Sequence, residues 1–408
     1  MCNVEQASVV DIKSEISNCS QTSCGIPVVG DDLSYAEFFE NFMLKNYPVI
    51  IKGNFTKEWE SATKWVKDDK PMFSYLKENF GQTEVPVADC GRRHYNVQEK
   101  STFKLCDYLD YWSDYIRNDY PETMPCFYLK DWHFTRDFPL HLIYRTPQYF
   151  ASDWLNEYYY DHKNKNDDYR FVYMGPKGSW TPFHADVFTS FSWSVNICGQ
   201  KRWLLFPPGQ ESFLRNKFGN LPYDCTSDEL KNEDLFPEYK KLNPPYEILQ
   251  QAGEAVFVPS GWHHQVWNMK DTISINHNWV NGCNIKTMWL SLKNHLAAVK
   301  KEIEDCKEME EWNSHCQIML RASFGLDYEE FYRFLLHISK KRIESLHGKD
   351  DLIVYGNWRI GRNHIVFDLL KINEVLNLFL SDTDCEIALK ELDVQKPKDL
   401  LSEINSVV

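Results

Sequence analysis

The chain has 408 residues, a formal net charge of −14, 15% aromatic and 25% charged residues. That acidic balance lacks the basic footprint of a nucleic-acid binder. It suits plain solubility or a basic partner surface. The 14 Trp, 22 Tyr and 25 Phe imply a substantial core, and the 12 cysteines are scattered without a C-X-X-C. Zinc-ribbon and thioredoxin-type chemistry therefore have no support. No apolar run reaches the ~18 residues of a membrane span. Met1 to Glu5 has no basic, apolar leader pattern, so the expectation is a reduced, cytoplasmic setting, with the nucleus as the alternative.

Residues 1–30 are polar and read as a mobile tail. Residues 31–139 mix helices and strands. Asp32 or Ser34 caps a helix from Tyr35 to Leu44. Pro48 to Gly53 is a short buried strand, Trp59 and Trp65 lie in a helical stretch, and Phe73 to Phe80 is a helix. Thr83 to Ala88 is a strand that Pro86 places at a sheet edge. Leu105, Tyr108, Leu109 and Trp112 give Phe103 to Ile116 helical periodicity. Phe127 to Leu129 is a strand leading into Lys130-Asp131-Trp132, and Asp161 to Asp168 reads as a solvated loop.

The third region, 140–282, is dominated from Tyr169 onward by short strands and Gly/Pro turns: Arg170 to Met174, Phe188 to Ile197, Arg202 to Phe206, Gly253 to Pro259, His263 to Trp267 and Asp271 to Trp279. Residues 209–251 form a long excursion with little strand character. The pattern implies a closed or double-sheet β structure. Residues 283–408 turn helical, over Lys286 to Cys306, Phe331 to Leu346 and Val375 to Phe379.

Thr181-Pro182-Phe183-His184-Ala185-Asp186 holds the one His-X-Asp of the chain. Two residues apart on a strand, the imidazole and carboxylate share a face. They make two thirds of the 2-His-1-carboxylate set that leaves positions open on non-haem Fe(II). Roughly one such tripeptide is expected by chance in a chain of this composition, so context decides. Trp262-His263-His264 opens a later strand, on which only one of the two histidines can face inward. If that one is His264, Val266 and Asn268 follow it, while His263, Gln265 and Trp267 face out. Lys201, beside the apolar run Trp203 to Phe206, needs an anion if it is buried.

Together these stretches resemble the jumonji C (JmjC) 2-oxoglutarate oxygenases over about residues 30–282. The stretches are Thr181 to Asp186, Gly199 to Pro208 and Gly253 to His264. The likeness is to the hydroxylase branch. It implies a mainly β core with α appendages: a double-stranded β-helix, or cupin-like jelly roll, with N-terminal α/β elements and a C-terminal helical region. It implies His184, Asp186 and His264 as Fe(II) ligands. It implies 2-oxoglutarate and O₂ as co-substrates, with Lys201 on the distal carboxylate of 2-oxoglutarate and Thr181, Tyr128 and Asn278 as further contacts. His263 stands where relatives often have a second Trp, and Asn276 where some have Thr. Phe183, Phe188, Trp193 and Trp203 are candidate cage walls.

The resemblance further implies lysyl hydroxylation of a translation termination factor, eukaryotic peptide chain release factor subunit one. The competing readings are an N-methyl-lysine demethylase, which uses the same metal set, and a non-catalytic cupin-like interaction module. No nucleic-acid or membrane partner is expected. The C-terminal helices either form a homodimer or cover the barrel.

Overall fold

A computed structural model describes the chain except residues 1–7, 16–24, 163–167, 349–352 and 389–394. In chain order, the strands that build and support the barrel are β1 (Val28–Gly30), β2 (Val49–Lys52), β3 (Glu84–His94), β4 (Val97–Lys104), β5 (Phe127–Trp132) and β6 (Arg170–Gly175), then β7 (Trp180–His184), β8 (Phe191–Cys198), β9 (Lys201–Phe206), β10 (Tyr246–Gln250), β11 (Ala255–Val258), β12 (His263–Asn268) and β13 (Thr272–Trp279). A nine-stranded sheet runs β1-β2-β11-β8-β13-β6-β5-β3-β4, and a four-stranded sheet runs β7-β12-β9-β10. From β6 to β13 the chain passes back and forth between the two sheets, with β9 and β10 the one consecutive pair in the same sheet, which is the double-stranded β-helix.

Alternation assigns the faces. On β8 and β13, Phe191, Trp193, Val195, Ile273, Ile275 and Trp279 join the main core outside the barrel. The intervening positions, Ser192, Ser194, Asn196, Ser274, Asn276 and Asn278, face the other sheet. Trp193 stacks on Phe150 at 5.2 Å and Phe188 packs on Phe324, so neither is a cage wall. Phe183 also faces out, against Phe206 and Leu214. Of the four expected walls only Trp203 is inside, with Leu205, Val258 and Val266.

The main core is completed by helices α1 (Leu105–Arg117), α2 (Trp154–Asp161), α3 (Ile285–Glu302), α4 (Trp312–Phe324), α5 (Tyr328–His347), α6 (Arg362–Leu380) and α7 (Gln395–Val407). Met288, Trp289 and Leu292 of α3 belong to the same cluster as the sheet's outer face. The C-terminal helices thus cover the barrel. At their centre Arg342, fully buried, donates to both Glu157 oxygens at 2.8 and 2.9 Å and to Asp368 at 3.0 Å. Burial raises the Glu157 carboxyl, but the Arg342 guanidinium and Lys341 outweigh it and hold it at about 2.

Several expectations are revised. Ser34, not Asp32, caps the first helix, in a capping box with Glu37. That helix continues as a π-helical turn, Phe39–Met43. Ser8–Val10 is no tail: it pairs in parallel with Trp358–Ile360, and β1 edges the large sheet. Polar composition hides such strands because their partners are remote in sequence. Pro86 lies in an inner strand, tolerated because pairing with β5 begins only at Val87. β4 takes the residues before α1 into a hairpin. Within the excursion, β10 pairs with β9 along its length, its alternation visible as buried Ile248 and Gln250 around exposed Leu249. The ends of the polar loop are anchored: Asp161 accepts from Lys341 and buried Asp168 pairs with His133 and Arg170. Residues 163–167 lie outside the described set.

Replacing Arg342 by Ala leaves Glu157 with Lys341 alone and Asp368 without its guanidinium, and should lower unfolding stability by about 3 kcal/mol, read from the denaturation midpoint.

Candidate active site

The site lies between the two sheets. In the small sheet three inner rows run across β7, β12 and β9. The first is His184–His264–Leu205, the second Thr181–Val266–Trp203, and the third ends in Asn268–Lys201. Thr181 and His184 are three residues apart, a spacing that would put them on opposite faces of a regular strand. The register between them shifts by one residue, a bulge that turns both inward and sends Phe183 out. Pro182, which has no N–H to lose, sits within that bulge.

His264 is 3% exposed and faces His184 at 4.3 Å between ring centroids. His263 points away toward Phe183. Of the two neighbours, His264 is the one placed beside His184 and Asp186. Gln265, on the outer face as expected, is nonetheless fully buried, because the excursion covers it: Gln265 accepts from the Cys225 N–H and donates to Asp224.

The hydrogen-bonded part of β7 ends at His184. The chain stays extended through Asp186 (φ −64°, ψ 149°) before a 3₁₀ turn, Val187–Thr189. One ligand atom from each of His184, Asp186 and His264 lies within 4.8 Å of the others. Each imidazole donates Nδ1–H to the carbonyl two residues earlier: His184 to Pro182 at 2.8 Å, His264 to Trp262 at 3.0 Å. A carbonyl can only accept, so Nε2 of both rings is left free for a metal. Burial, then His264, hold the His184 imidazolium down at about 4, and a neutral ring is the ligating form. Ser192 Oγ donates to Asp186 at 2.6 Å, orienting the carboxylate. Phe188 and Thr189 follow with φ of 57° and 50°, uncommon for such residues. The Phe188 ring is held by Tyr169 and Phe324 and lies where a side chain on Gly325 would clash.

Lys201 is 2% exposed. Its ammonium donates to Ser274 Oγ at 2.6 Å and sits 5.8 and 5.9 Å from the Tyr173 and Trp203 rings. Among the described residues it has no carboxylate partner, and burial lowers it to about 7. A buried cation without a counter-charge is costly, and a bound dicarboxylate would supply the missing anion. Tyr128, buried opposite Tyr173, lies close to Asn268, which pairs in register with Lys201. Gly175 makes room for it: a Cβ there would meet the Tyr128 ring at 2.5 Å. Thr181 lies in the row between the imidazoles and Lys201. Asn278 is at the opposite end, across from Ser192 and donating to Ser190. Asn276 is nearer Lys201, donating to Ser274 Oγ at 3.1 Å.

A family model for a cupin-like domain matches residues 35–285. The chain is 44% identical to the 2-oxoglutarate and iron-dependent oxygenase JMJD4 of Danio rerio, over 98% of this chain and 97% of the relative. The chain belongs to the cupin-like JmjC family. The human protein of the same name is 46% identical over 92% of this chain and 89% of its own length. The arginine-specific demethylase JMJ20 of Arabidopsis thaliana is 39% identical over 76% and 69%.

Two supports of this JmjC site escape motif reading: Ser192 on Asp186 and Ser274 on Lys201. The period-two polar positions Ser192-Ser194-Asn196 and Ser274-Asn276-Asn278, set among apolar residues, are the signal that points to them. Replacing Ser192 by Ala should weaken Mn(II) binding about tenfold or more while leaving the melting temperature of the metal-free protein nearly unchanged, both measured by calorimetry.

Proposed function

We propose that the chain is an Fe(II)- and 2-oxoglutarate-dependent protein hydroxylase. The observation that carries this reading is the buried Lys201 ammonium, without a counter-ion among the described residues, at the far end of the same inner wall as the His184, Asp186 and His264 cluster. That donor set, two neutral imidazoles and a carboxylate, suits Fe(II) with coordination positions left open. His184, Asp186 and His264 would hold the metal, and Lys201, Thr181 and Tyr128 the distal carboxylate of 2-oxoglutarate. Asn278 is assigned to the co-substrate as well, from the metal-ligand end. With Fe(II), 2-oxoglutarate and O₂ bound, the site supplies oxidative decarboxylation coupled to hydroxylation of a C–H bond.

The chain's own part is positional. Pro182 and Trp262 carbonyls fix the imidazole tautomers, Ser192 aims the carboxylate, and Ser274 holds the lysine. Trp203, Leu205 and Val266 keep water from the inner wall. The relatives named for iron and 2-oxoglutarate support the same cofactors here. We further propose a lysine side chain of a translation release factor as the substrate, in the cytoplasm with the nucleus as a second location, and a basic segment as the contact for this acidic chain. A second copy of the chain is proposed to meet exposed Leu290 on α3 and Ile318 and Met319 on α4. No described helix is long and apolar enough to cross a membrane. The demethylase reading uses the same metal set, and the Arabidopsis thaliana relative is an arginine-specific demethylase.

Incubation with Fe(II), 2-oxoglutarate and release-factor protein should give succinate and a substrate one oxygen heavier. Replacing His184 by Ala should abolish both. Succinate formation equal to wild type in that variant would overturn the assignment, and formaldehyde without a stable oxygenated product would favour demethylation. Lys201→Met should raise KM for 2-oxoglutarate by at least about tenfold, the loss expected when a buried ion pair loses one partner, with Lys201→Arg restoring part of it.

A further inference from the structure

We propose that Lys130 is a specificity-determining residue. It is a buried cation on the barrel's inner wall that disfavours a positively charged N-methyl nitrogen at the reacting position and so steers oxidation to carbon along the side-chain stem. The inference rests on the oxygenase reading above and addresses what it leaves open, hydroxylation against demethylation.

Lys130 is 7% exposed. It lies two residues after Tyr128 on β5, where the register with β6 shifts between Leu129 and Trp132, and its contact with the Tyr128 ring sets it on that residue's inner face. Its ammonium donates to Gln98 Oε1 at 2.7 Å and lies 5.6 Å from the Tyr128 ring centroid. Gln98, 5% exposed, donates in turn to the Trp180 carbonyl at 3.1 Å. The ammonium is thereby fixed at the seam between the large sheet and β7, the strand that carries Thr181 and His184. It is near enough to His184 that its charge adds to burial and His264 in opposing protonation of that ring.

Lys130 has no ion pair among the described residues. Asp131 is the adjacent carboxylate, but its oxygens are engaged by Lys100 and by the Tyr173 hydroxyl at 2.5 Å. A bound dicarboxylate answers Lys201. Asp131 and Cys90 offset the burial of Lys130 only in part, from beyond ion-pair distance.

Both chemistries consume one O₂ and one 2-oxoglutarate. One oxygen atom ends in succinate as CO₂ leaves, and the other converts a C–H bond to C–OH. On a stem carbon the alcohol is the product, and the substrate ammonium is several bonds away. On an N-methyl group the N–CH₂OH gives up its hydroxyl proton, the C–N bond breaks with its electron pair passing to nitrogen, and formaldehyde leaves. There the cationic nitrogen sits one bond from the reacting carbon, several ångströms closer to Lys130. At an effective dielectric constant of about 20, that difference in like-charge repulsion is on the order of tenfold in occupancy.

The test uses the full chain loaded with Mn(II) and 2-oxoglutarate. The probes are Nε,Nε-dimethyl-lysine amide and a neutral isostere of the same length, each read by Mn(II) broadening of its methyl signals. Wild type should favour the neutral probe. Lys130→Met and Lys130→Gln should shift the ratio about tenfold toward the cation, and Lys130→Arg should not. In turnover, the neutral variants should release more formaldehyde from methylated release-factor peptides per stable oxygenated product. Equal ratios in all four proteins, including no broadening by either probe, would overturn the proposal, as would a raised KM for 2-oxoglutarate with an unchanged ratio. Failure of the oxygenase reading shows separately, as wild-type protein that binds neither Mn(II) nor 2-oxoglutarate.

Discussion

The outer face of the large sheet is where folding free energy is gathered, and its dryness permits everything on the inner face. Phe191, Trp193, Val195, Ile273, Ile275 and Trp279 are each almost wholly removed from water. Side chains of this kind contribute about 1.5–3 kcal/mol apiece when fully buried. Between them, on the same strands, stand serines and asparagines with little apolar surface to offer. A barrel whose stability depended on its interior could not hold Lys201 and two close imidazoles on the small sheet that faces these positions. The two-residue period of the strand divides the work, with packing on odd positions and chemistry on even ones.

The helices after residue 283 belong to that arrangement. They supply the surface against which the outer face is dry, and α4 adds something more specific. Phe188 and Thr189 occupy left-handed backbone immediately after Asp186. Such conformations cost of order 1–3 kcal/mol each and persist where surroundings over-determine them. Phe324 and the bare backbone of Gly325 form part of those surroundings. The carboxylate ligand is held from one side by Ser192 and from behind, through the turn, by the C-terminal region.

The site was more legible in sequence than the frame around it. His184, Asp186 and His264 could be read because their spacing to turns and strand starts is local. Alternation allowed only one of His263 and His264 to face inward, and the resemblance to the JmjC motif chose His264. Lys201 could be read because a lysine beside Trp203, Leu204 and Leu205 has no cheap place in a core. The strands Ser8–Val10, β1 and β10 were hidden, since each is short or polar and earns its place through a partner far along the chain. The bulge in β7 was hidden too. Counting from His184 by twos would put Thr181 on the wrong face, and only the pairing with Val266 shows that it turns in. The expected aromatic cage failed for the same reason: Phe183, Phe188 and Trp193 are aromatic in the right neighbourhood but on the outward parity.

The two imidazoles are steered by main-chain carbonyls, those of Pro182 and Trp262, and not by side chains. Evolution cannot delete a carbonyl by a point substitution. The protonation geometry of both nitrogen ligands is therefore inherited with the backbone path, and sequence drift in the surroundings leaves it in place. Asp186 is different, because its steering hydroxyl belongs to Ser192 and can be lost in a single codon change. Variation among descendants of this chain that tunes metal affinity without abolishing the site has its easiest route through that serine.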